Sequence, residues 1–193
     1  KVLNPHTNGL RKMLTFNNLG NLGRLANQMF QYASLKGIAR KHGYDYAIPP
    51  VDLFGQNDPL VRNDKLNIYD VFNIDKKNTI NVVRNPMLQE RMHEFDKELF
   101  ESCPDNVDLY GYYQSPKYFD HIKDEIKSDF TFSDEVESIC TEMFETIKDG
   151  KKVIALHIRR TDYTVNPNHP LQPMEYYELA LKHFDKNTNL LVF

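Results

Sequence analysis

Two stretches carry residues whose types and spacing suit chemistry on an anionic substrate. The sharper is His157-Ile158-Arg159-Arg160-Thr161-Asp162-Tyr163, which follows the apolar run Val153-Ile154-Ala155-Leu156. That places it at the carboxyl end of a buried strand, where open α/β sheets bind their ligands. Consecutive arginines leaving a strand point in different directions, so one can face a ligand while the other is tied down. A guanidinium offers planar, bidentate donors to a phosphate and keeps its charge at neutral pH. Asp162 is a natural partner for the second guanidinium, and a diphosphate leaving group would meet a permanent positive charge here. The bland alternative is a surface ion-pair cluster, worth little energetically; position at a strand's carboxyl end favours anion binding. His157 admits two readings, a catalytic group or a hydrogen-bonded core residue of the strand.

The second stretch is Gly20-Asn21-Leu22-Gly23-Arg24-Leu25-Ala26-Asn27-Gln28, a glycine-bearing loop between a candidate strand and a candidate helix. Such a loop lets backbone N–H groups approach an anion at the helix N-terminus. It is neither a dinucleotide fingerprint nor a Walker loop, because the glycine spacing differs and no Gly-Lys-Ser/Thr follows. The glycines could also serve the turn alone. Nowhere are two aspartates separated by a single residue, so the Asp-x-Asp pair that holds a metal against a nucleotide diphosphate is missing. Cationic side chains rather than Mg²⁺ or Mn²⁺ would then have to neutralise a diphosphate leaving group.

The elements that must position these residues alternate short apolar runs with helical spacing, which predicts an α/β layered fold. Met13-Leu14-Thr15-Phe16 reads as a strand. A helix is expected from near Asn27, with Phe30, Ala33, Ser34, Gly37 and Ile38 at helical spacing and Gly43 as its stop. Residues 44–85 read as loop-rich. Leu88, Met92, Phe95 and Leu99 fit a helix over 88–99, although His93-Glu94-Phe95 also suits a short strand. A strand is expected over 109–113, then a helix capped by Ser115, begun by Pro116 and burying Phe119, Ile122 and Ile126. From Ser133, the spacing of Val136, Ile139, Cys140, Met143, Phe144 and Ile147 predicts a helix with one buried stripe and a stop at Gly150, with Cys140 and Met143 in the core. Residues 153–158, apolar on both faces, predict a buried parallel strand. A helix from Pro173 carrying Tyr177, Ala180, Leu181 and Phe184 and a strand over 190–193 complete a β-loop-α-β unit.

Composition narrows the class. The 193 residues suit one large domain or two small ones, enough chain to bury roughly 70% of the unfolded surface. Apolar residues at 40% and aromatics at 12% argue against disorder. A net charge of -3 speaks against a nucleic-acid partner. Two cysteines, Cys103 and Cys140, exclude a disulfide-rich scaffold. The apolar run 153–156 is far short of the ~20 residues a membrane span needs, and the N-terminus is not signal-like. The chain opens on Lys1 and closes on Leu190-Leu191-Val192-Phe193, a strand in mid-run, so a fragment of a longer protein is expected.

The motifs now add up to a resemblance. Gly23-Arg24-Leu25-Ala26-Asn27-Gln28-Met29-Phe30-Gln31-Tyr32-Ala33 resembles the N-terminal signature of the α-1,2-fucosyltransferases, glycosyltransferase family 11. Residues 109–119, Leu-Tyr-Gly-Tyr-Tyr-Gln-Ser-Pro-Lys-Tyr-Phe, look like that family's mid-chain segment, and 157–163 like its His-x-Arg-Arg-x-Asp-Tyr donor motif. The resemblance implies a GT-B-like fold of two Rossmann-like domains: 11–149 as an N-terminal, acceptor-side domain, and 150–193 as the start of a C-terminal GDP-fucose-binding domain, truncated at Phe193. It implies inverting, metal-independent transfer of L-fucose from GDP-fucose to the 2-hydroxyl of a terminal galactose in a glycan, with no cofactor. By similarity, Arg160 contacts the diphosphate with Arg159 beside it, and His157 and Asp162 shape the same pocket, with Arg160 and His157 as the catalytic candidates. Gly23, Arg24 and Asn27 resemble the donor-side loop of the protein O-fucosyltransferases.

Two departures stand out: Ala26 where these families usually place glycine, and Thr161 where family 11 commonly does. A third is length, since family members continue for about another hundred residues, so residues 1–193 alone are expected to turn over poorly. The rival readings are a non-catalytic nucleotide-sugar or glycan binding module and a protein O-fucosyltransferase, the latter disfavoured by Gly-Tyr-Tyr-Gln-Ser.

Overall fold

The apolar run ahead of the glycine-bearing loop forms strand β1 (Met13–Thr15), and the helical spacing behind it forms α1 (Leu25–His42). The computed structural model describes residues 12–51, 66–80, 84–160, 162–165, 167 and 170–193. They fall into two compact units, Lys1–Ser133 and Asp134–Phe193.

In the first unit, α1 starts two residues earlier than its spacing suggested and ends where expected. Gly43 adopts the left-handed conformation and donates its N–H to the carbonyls of Ala39 and Arg40. The chain continues through β2 (Asp45–Ala47), α2 (Ile68–Val71), β3 (Met87–Gln89), α3 (Lys97–Ser102), β4 (Val107–Tyr110) and α4 (Lys123–Asp129). The four strands form one parallel sheet in the order β2-β1-β4-β3, with Leu14 opposite both Tyr46 and Val107. Leu14, Phe16, Leu35, Ile38, Leu109 and Tyr113 are buried where α1 meets this sheet.

α1 is enclosed on nearly every side from Gln31 to Ala39, so it carries no simple apolar stripe. Most of its buried polar side-chain atoms are instead bonded, as burial requires, Gln31 Oε1 being the exception among the described residues. Gln28 Oε1 accepts from the Ile68 N–H at 3.1 Å, Ser34 Oγ donates to the Tyr113 carbonyl at 3.0 Å, and Lys36 Nζ pairs with Asp129 of α4. Gly37 lies where the turn after β4 crosses the helix. A Cβ there would stand 2.1 Å from the Tyr118 carbonyl oxygen and 2.8 Å from the Phe119 Cα.

Three local expectations change. The helix over 88–99 is a strand and a later helix: Leu88 lies in β3, and α3 begins only after Asp96. Asp96 decides this, because Oδ1 accepts from the Leu99 N–H at 3.0 Å and caps the first turn. Strand β4 stops at Tyr110 because Gly111, at φ 150, turns the chain. The helix from Ser115 is two 3-10 turns, Pro116–Tyr118 and Asp120–Ile122, before α4, and the Ser115 side chain caps nothing.

Asp96 is 3% exposed, and Arg91 grips both its oxygens, Nε at 2.8 Å and Nη2 at 2.9 Å. Those hydrogen bonds hold its carboxyl below the usual carboxylate range. A folded-state value below the unfolded one means stability that is fully present above about pH 4 and is lost as pH falls through the lowered value. Asp96→Asn should therefore lower the unfolding free energy at pH 7 by about 1–2 kcal/mol, seen as a lower urea midpoint, and show a shallower loss between pH 5 and pH 2 than the parent. An unchanged midpoint at pH 7 would refute the role of this carboxylate.

The second unit holds α5 (Asp134–Lys148), β5 (Lys152–Leu156), α6 (Met174–Leu181) and β6 (Thr188–Val192). β5 and β6 pair in parallel, Lys152 opposite Thr188 through Leu156 opposite Val192. Asn189 of β6 donates from Nδ2 to the Ile147 and Lys148 carbonyls, at 2.8 and 3.0 Å, closing the end of α5.

Burial here departs from expectation. Of the α5 stripe, Ile139 and Met143 are 52% and 58% exposed, and Cys140 is exposed too. β5 is half-buried rather than buried on both faces. The reason is width: two strands roughly 5 Å apart make a strip too narrow to cover a helix about 10 Å across. Among the described residues no helix is long and apolar enough to cross a membrane.

Candidate functional site

In the first unit the two motif segments meet. β1 and β4 are neighbours at the centre of the sheet, with β2 beyond one and β3 beyond the other. The loops leaving their carboxyl ends therefore flank the crevice where parallel sheets bind ligands. Those loops are 16–24 and 111–115, the glycine-bearing loop and the Gly-Tyr-Tyr-Gln-Ser segment.

α1 ties them together. Gln31, fully buried, donates from Nε2 to the Leu22 carbonyl at 3.2 Å and to the Gly111 carbonyl at 3.1 Å. Gln114 Nε2 donates to Asn27 Oδ1. Asp108 in β4 accepts on Oδ1 from Thr15 Oγ1 and from the Asn17 N–H, both at 2.8 Å, fixing the start of the first loop. Sequence reasoning treated the two motifs as separate signals; the structure makes them one hydrogen-bonded assembly.

Glu90, which sequence reasoning missed, braces the second loop. Its carboxylate accepts from the Tyr112 N–H at 2.7 Å and the Tyr113 N–H at 2.9 Å. Gly111 is required for that approach, since a Cβ would fall 2.4 Å from the Glu90 Cβ. Tyr113 is held at φ 51, a conformation uncommon outside glycine that persists only where the surroundings enforce it. The enforcement is complete: Glu90 on its N–H, Ser34 on its carbonyl, and a buried ring whose hydroxyl donates to the Leu88 carbonyl at 3.2 Å. Tyr112 is left 37% exposed. Glu90 sits beyond β3, 22 residues before Tyr112, and no short-range pattern links them.

The three residues singled out in the first loop take distinct places. Gly23, at φ 77, lies beneath Asn27, whose Nδ2 would be 2.0 Å from a Cβ added there. Arg24 is exposed and stands just ahead of α1 as its N-cap, offering no capping side-chain bond. The first turn of α1 holds no acidic residue. No carboxylate of that turn itself therefore neutralises its backbone donors or the positive end of the dipole, an arrangement suited to an anion. Ala26 lies inside the helix, where a Cβ carries no backbone penalty, so glycine is not needed at that position.

In the second unit, His157, Arg159 and Arg160 lie just beyond the carboxyl end of β5, and all three are exposed. Parallel pairing runs on past the strands, with the Phe193 N–H donating to Leu156 at 2.9 Å and the Ile158 N–H to Phe193 at 3.0 Å. This anchors the chain one residue before the arginines. The expectation that His157 belongs to the strand is corrected: it stands past the last strand residue, exposed, which removes the reading as a core histidine.

The arginines diverge. The Arg159 guanidinium lies over the Tyr163 ring, 4.6 Å from its centroid, a cation–π contact. Arg160 Nη1 reaches the Met174 thioether at 3.8 Å, a soft and uncharged acceptor. Asp162 opens a 3-10 turn, Asp162–Thr164, and the Thr164 N–H returns to the Arg160 carbonyl at 2.9 Å. The side chain of Asp162, its pairing with a guanidinium and the substitution at Thr161 lie outside the described residues.

Comparison with known proteins places the chain in a family. The family model for glycosyl transferase family 11 matches residues 4–193. An Escherichia coli O-antigen biosynthesis glycosyltransferase, WbnK, is 25% identical over 84% of this chain and 66% of its own length. An Escherichia coli alpha-1,2-colitosyltransferase is 29% identical over 89% of this chain and 64% of its own. Galactoside alpha-(1,2)-fucosyltransferase 2 of Sus scrofa is 27% identical over 85% and 46%. The chain thus spans about two-thirds or less of the length of these curated relatives. Among solved structures, the fucosyltransferase NodZ from Bradyrhizobium shares the fold, with a TM-score of 0.53 and 12% identity over 95% of this chain and 72% of that one. The parallel α/β architecture expected from sequence is present in that likeness. From three motifs in order and a family match over nearly its whole length, the chain belongs to glycosyltransferase family 11.

Proposed function

We propose that the protein transfers L-fucose from GDP-fucose to the 2-hydroxyl of a terminal galactose in a glycan, with inversion and without a metal. The observation that carries this reading is the exposed Arg159-Arg160 pair beyond the carboxyl end of β5, in a chain of family 11. As the bond to the anomeric carbon breaks, negative charge grows on the departing diphosphate. Arginines already in place stabilise that charge more in the transition state than in the ground state, which raises rate. Arg160 contacts the diphosphate in this reading, Arg159 is steadied beside it by Tyr163, and His157 and Asp162 complete the pocket. Gly23 and Arg24, in the loop ahead of α1, and Asn27, in its first turn, are the first unit's candidates for donor binding. His157 is the candidate for taking the acceptor's proton.

A second donor is favoured by one observation: the colitosyltransferase relative is as similar as the fucosyltransferases. Both sugars put the same demand on the arginines, so the reaction class is unchanged.

The test is GDP release from GDP-fucose and, separately, GDP-colitose by the intact gene product, with a β-galactoside acceptor and EDTA present. Acceptor-dependent release undiminished by EDTA is the expected result. Folded protein that releases no GDP from either donor would overturn the reading in favour of a binding module.

A further inference from the structure

The first unit carries a second concavity away from the motif loops. It has a volume of about 670 Å³ and lies between the last turn of α1, α3 and the two 3-10 turns before α4. Lys41, on its wall, is sixteen residues along α1 from Leu25, about 24 Å at 1.5 Å per residue.

Its floor is aromatic and rigid. Phe95 and Phe100 pack 5.5 Å apart, and both lean on Tyr118, at 4.9 and 6.2 Å. Tyr118 is fully buried and accepts the Asp96 N–H on its hydroxyl at 2.8 Å. Above the floor stand ammonium groups held by the rings. Lys41 Nζ is 5.3 Å from the Phe100 centroid, and Lys117 Nζ is 5.7 Å from that of Phe95.

The rim is mixed but uneven in charge. Lys41 pairs with Glu101 at 2.9 Å. Lys97 also bears electrostatically on Glu101, so the rim sets three lysines, Lys41, Lys97 and Lys117, against two carboxylates, Glu101 and Asp120. His121, whose ring is 5.6 Å from that of Phe100, can donate or accept.

The geometry points to a binding site here for an acidic saccharide, a pyranose carrying a carboxylate. A pyranose presents a C–H face that an aromatic floor and lysine stems accommodate, and hydroxyl edges that need both donors and acceptors. The lysines donate, Glu101 and Asp120 accept. A bare phosphate would meet those two carboxylates unfavourably, whereas a sugar ring uses them. The excess of lysine charge selects a sugar with one carboxylate over a neutral one. This site stands independently of the proposed transfer reaction and would hold a glycan on the flank of the unit.

The test uses residues 1–193 intact, with cellobiouronic acid as probe and cellobiose and inorganic phosphate as controls, read by calorimetry and by amide chemical-shift mapping. Expected is saturable binding of cellobiouronic acid with shifts confined to 97–101 and 117–121, and cellobiose at least about threefold weaker. Lys97→Glu/Lys117→Glu, at two exposed positions, should weaken binding at least about fivefold. Arg160→Ala should leave it unchanged, which separates this site from the proposed donor site. No saturable binding, shifts elsewhere, an unaffected double variant, or displacement of the disaccharide by equimolar phosphate would each overturn the proposal.

Discussion

Arg160→Ala in the intact gene product should lower acceptor-dependent GDP release by about ten- to a hundredfold, the value of one charge-assisted contact at roughly 1.5–3 kcal/mol. The side chain is exposed and its described contact is the Met174 sulfur, so the substitution removes charge without opening a core. Melting temperature should stay within a degree or two of the parent. Arg160→Lys keeps the charge and loses the planar, bidentate fork, and should fall between the two. Because the effect belongs to the transition state, the loss should appear in kcat at least as strongly as in KM. A parental rate for Arg160→Ala would remove this residue from the reaction and with it the strongest support for the donor assignment.

Gly37→Ala should destabilise the first unit by about 2–3 kcal/mol, a drop of roughly 5–10 °C in Tm. In an open helix the same change stabilises by nearly 1 kcal/mol. Here the new methyl would fall 2.1 Å from the Tyr118 carbonyl oxygen and 2.8 Å from the Phe119 Cα, backbone atoms that cannot rotate aside. The turn bearing Pro116–Tyr118 would have to lift from α1, and with it the Tyr113-Gln114 segment that Ser34 and Asn27 hold. Urea denaturation measures the loss. A variant as stable as the parent would show that the turn does not press on the helix as described.

Much of this was legible from residue order alone, and the exceptions share a cause. β1, the Gly43 end of α1, α5 and α6 announce themselves because their signals are local: apolar spacing, a left-handed stop, acids in a first turn. The arginine pair was readable for the same reason, as charge placed after an apolar run. What escaped depends on partners far along the chain. The apolar residues of 88–99 keep helical spacing, yet Leu88 is drawn into the sheet beside Leu109 and Asp96 is claimed by Arg91 and the cap. Glu90 looks like any surface acid until Gly111 turns two N–H groups onto it. The α5 stripe shows the converse, a correct periodicity whose burial depends on how much sheet lies beneath it.

The placement of β1 between β2 and β4 also sets an order of events as the chain leaves the ribosome. β1, α1 and β2 can assemble from some 35 consecutive residues, because β2 follows α1 after a two-residue turn. The other edge of β1 must wait for Val107 and Asp108, more than ninety residues later. Until then Ser34 and Gln31 lack the Tyr113 and Gly111 carbonyls that satisfy them, and Lys36 lacks Asp129. A buried helix whose polar partners arrive last cannot complete its packing early, and closure of such distant pairs is slow. The half-built sheet therefore stays open along β1 for most of synthesis of the first unit, the interval in which a chaperone or a neighbouring nascent chain would find an unpaired strand.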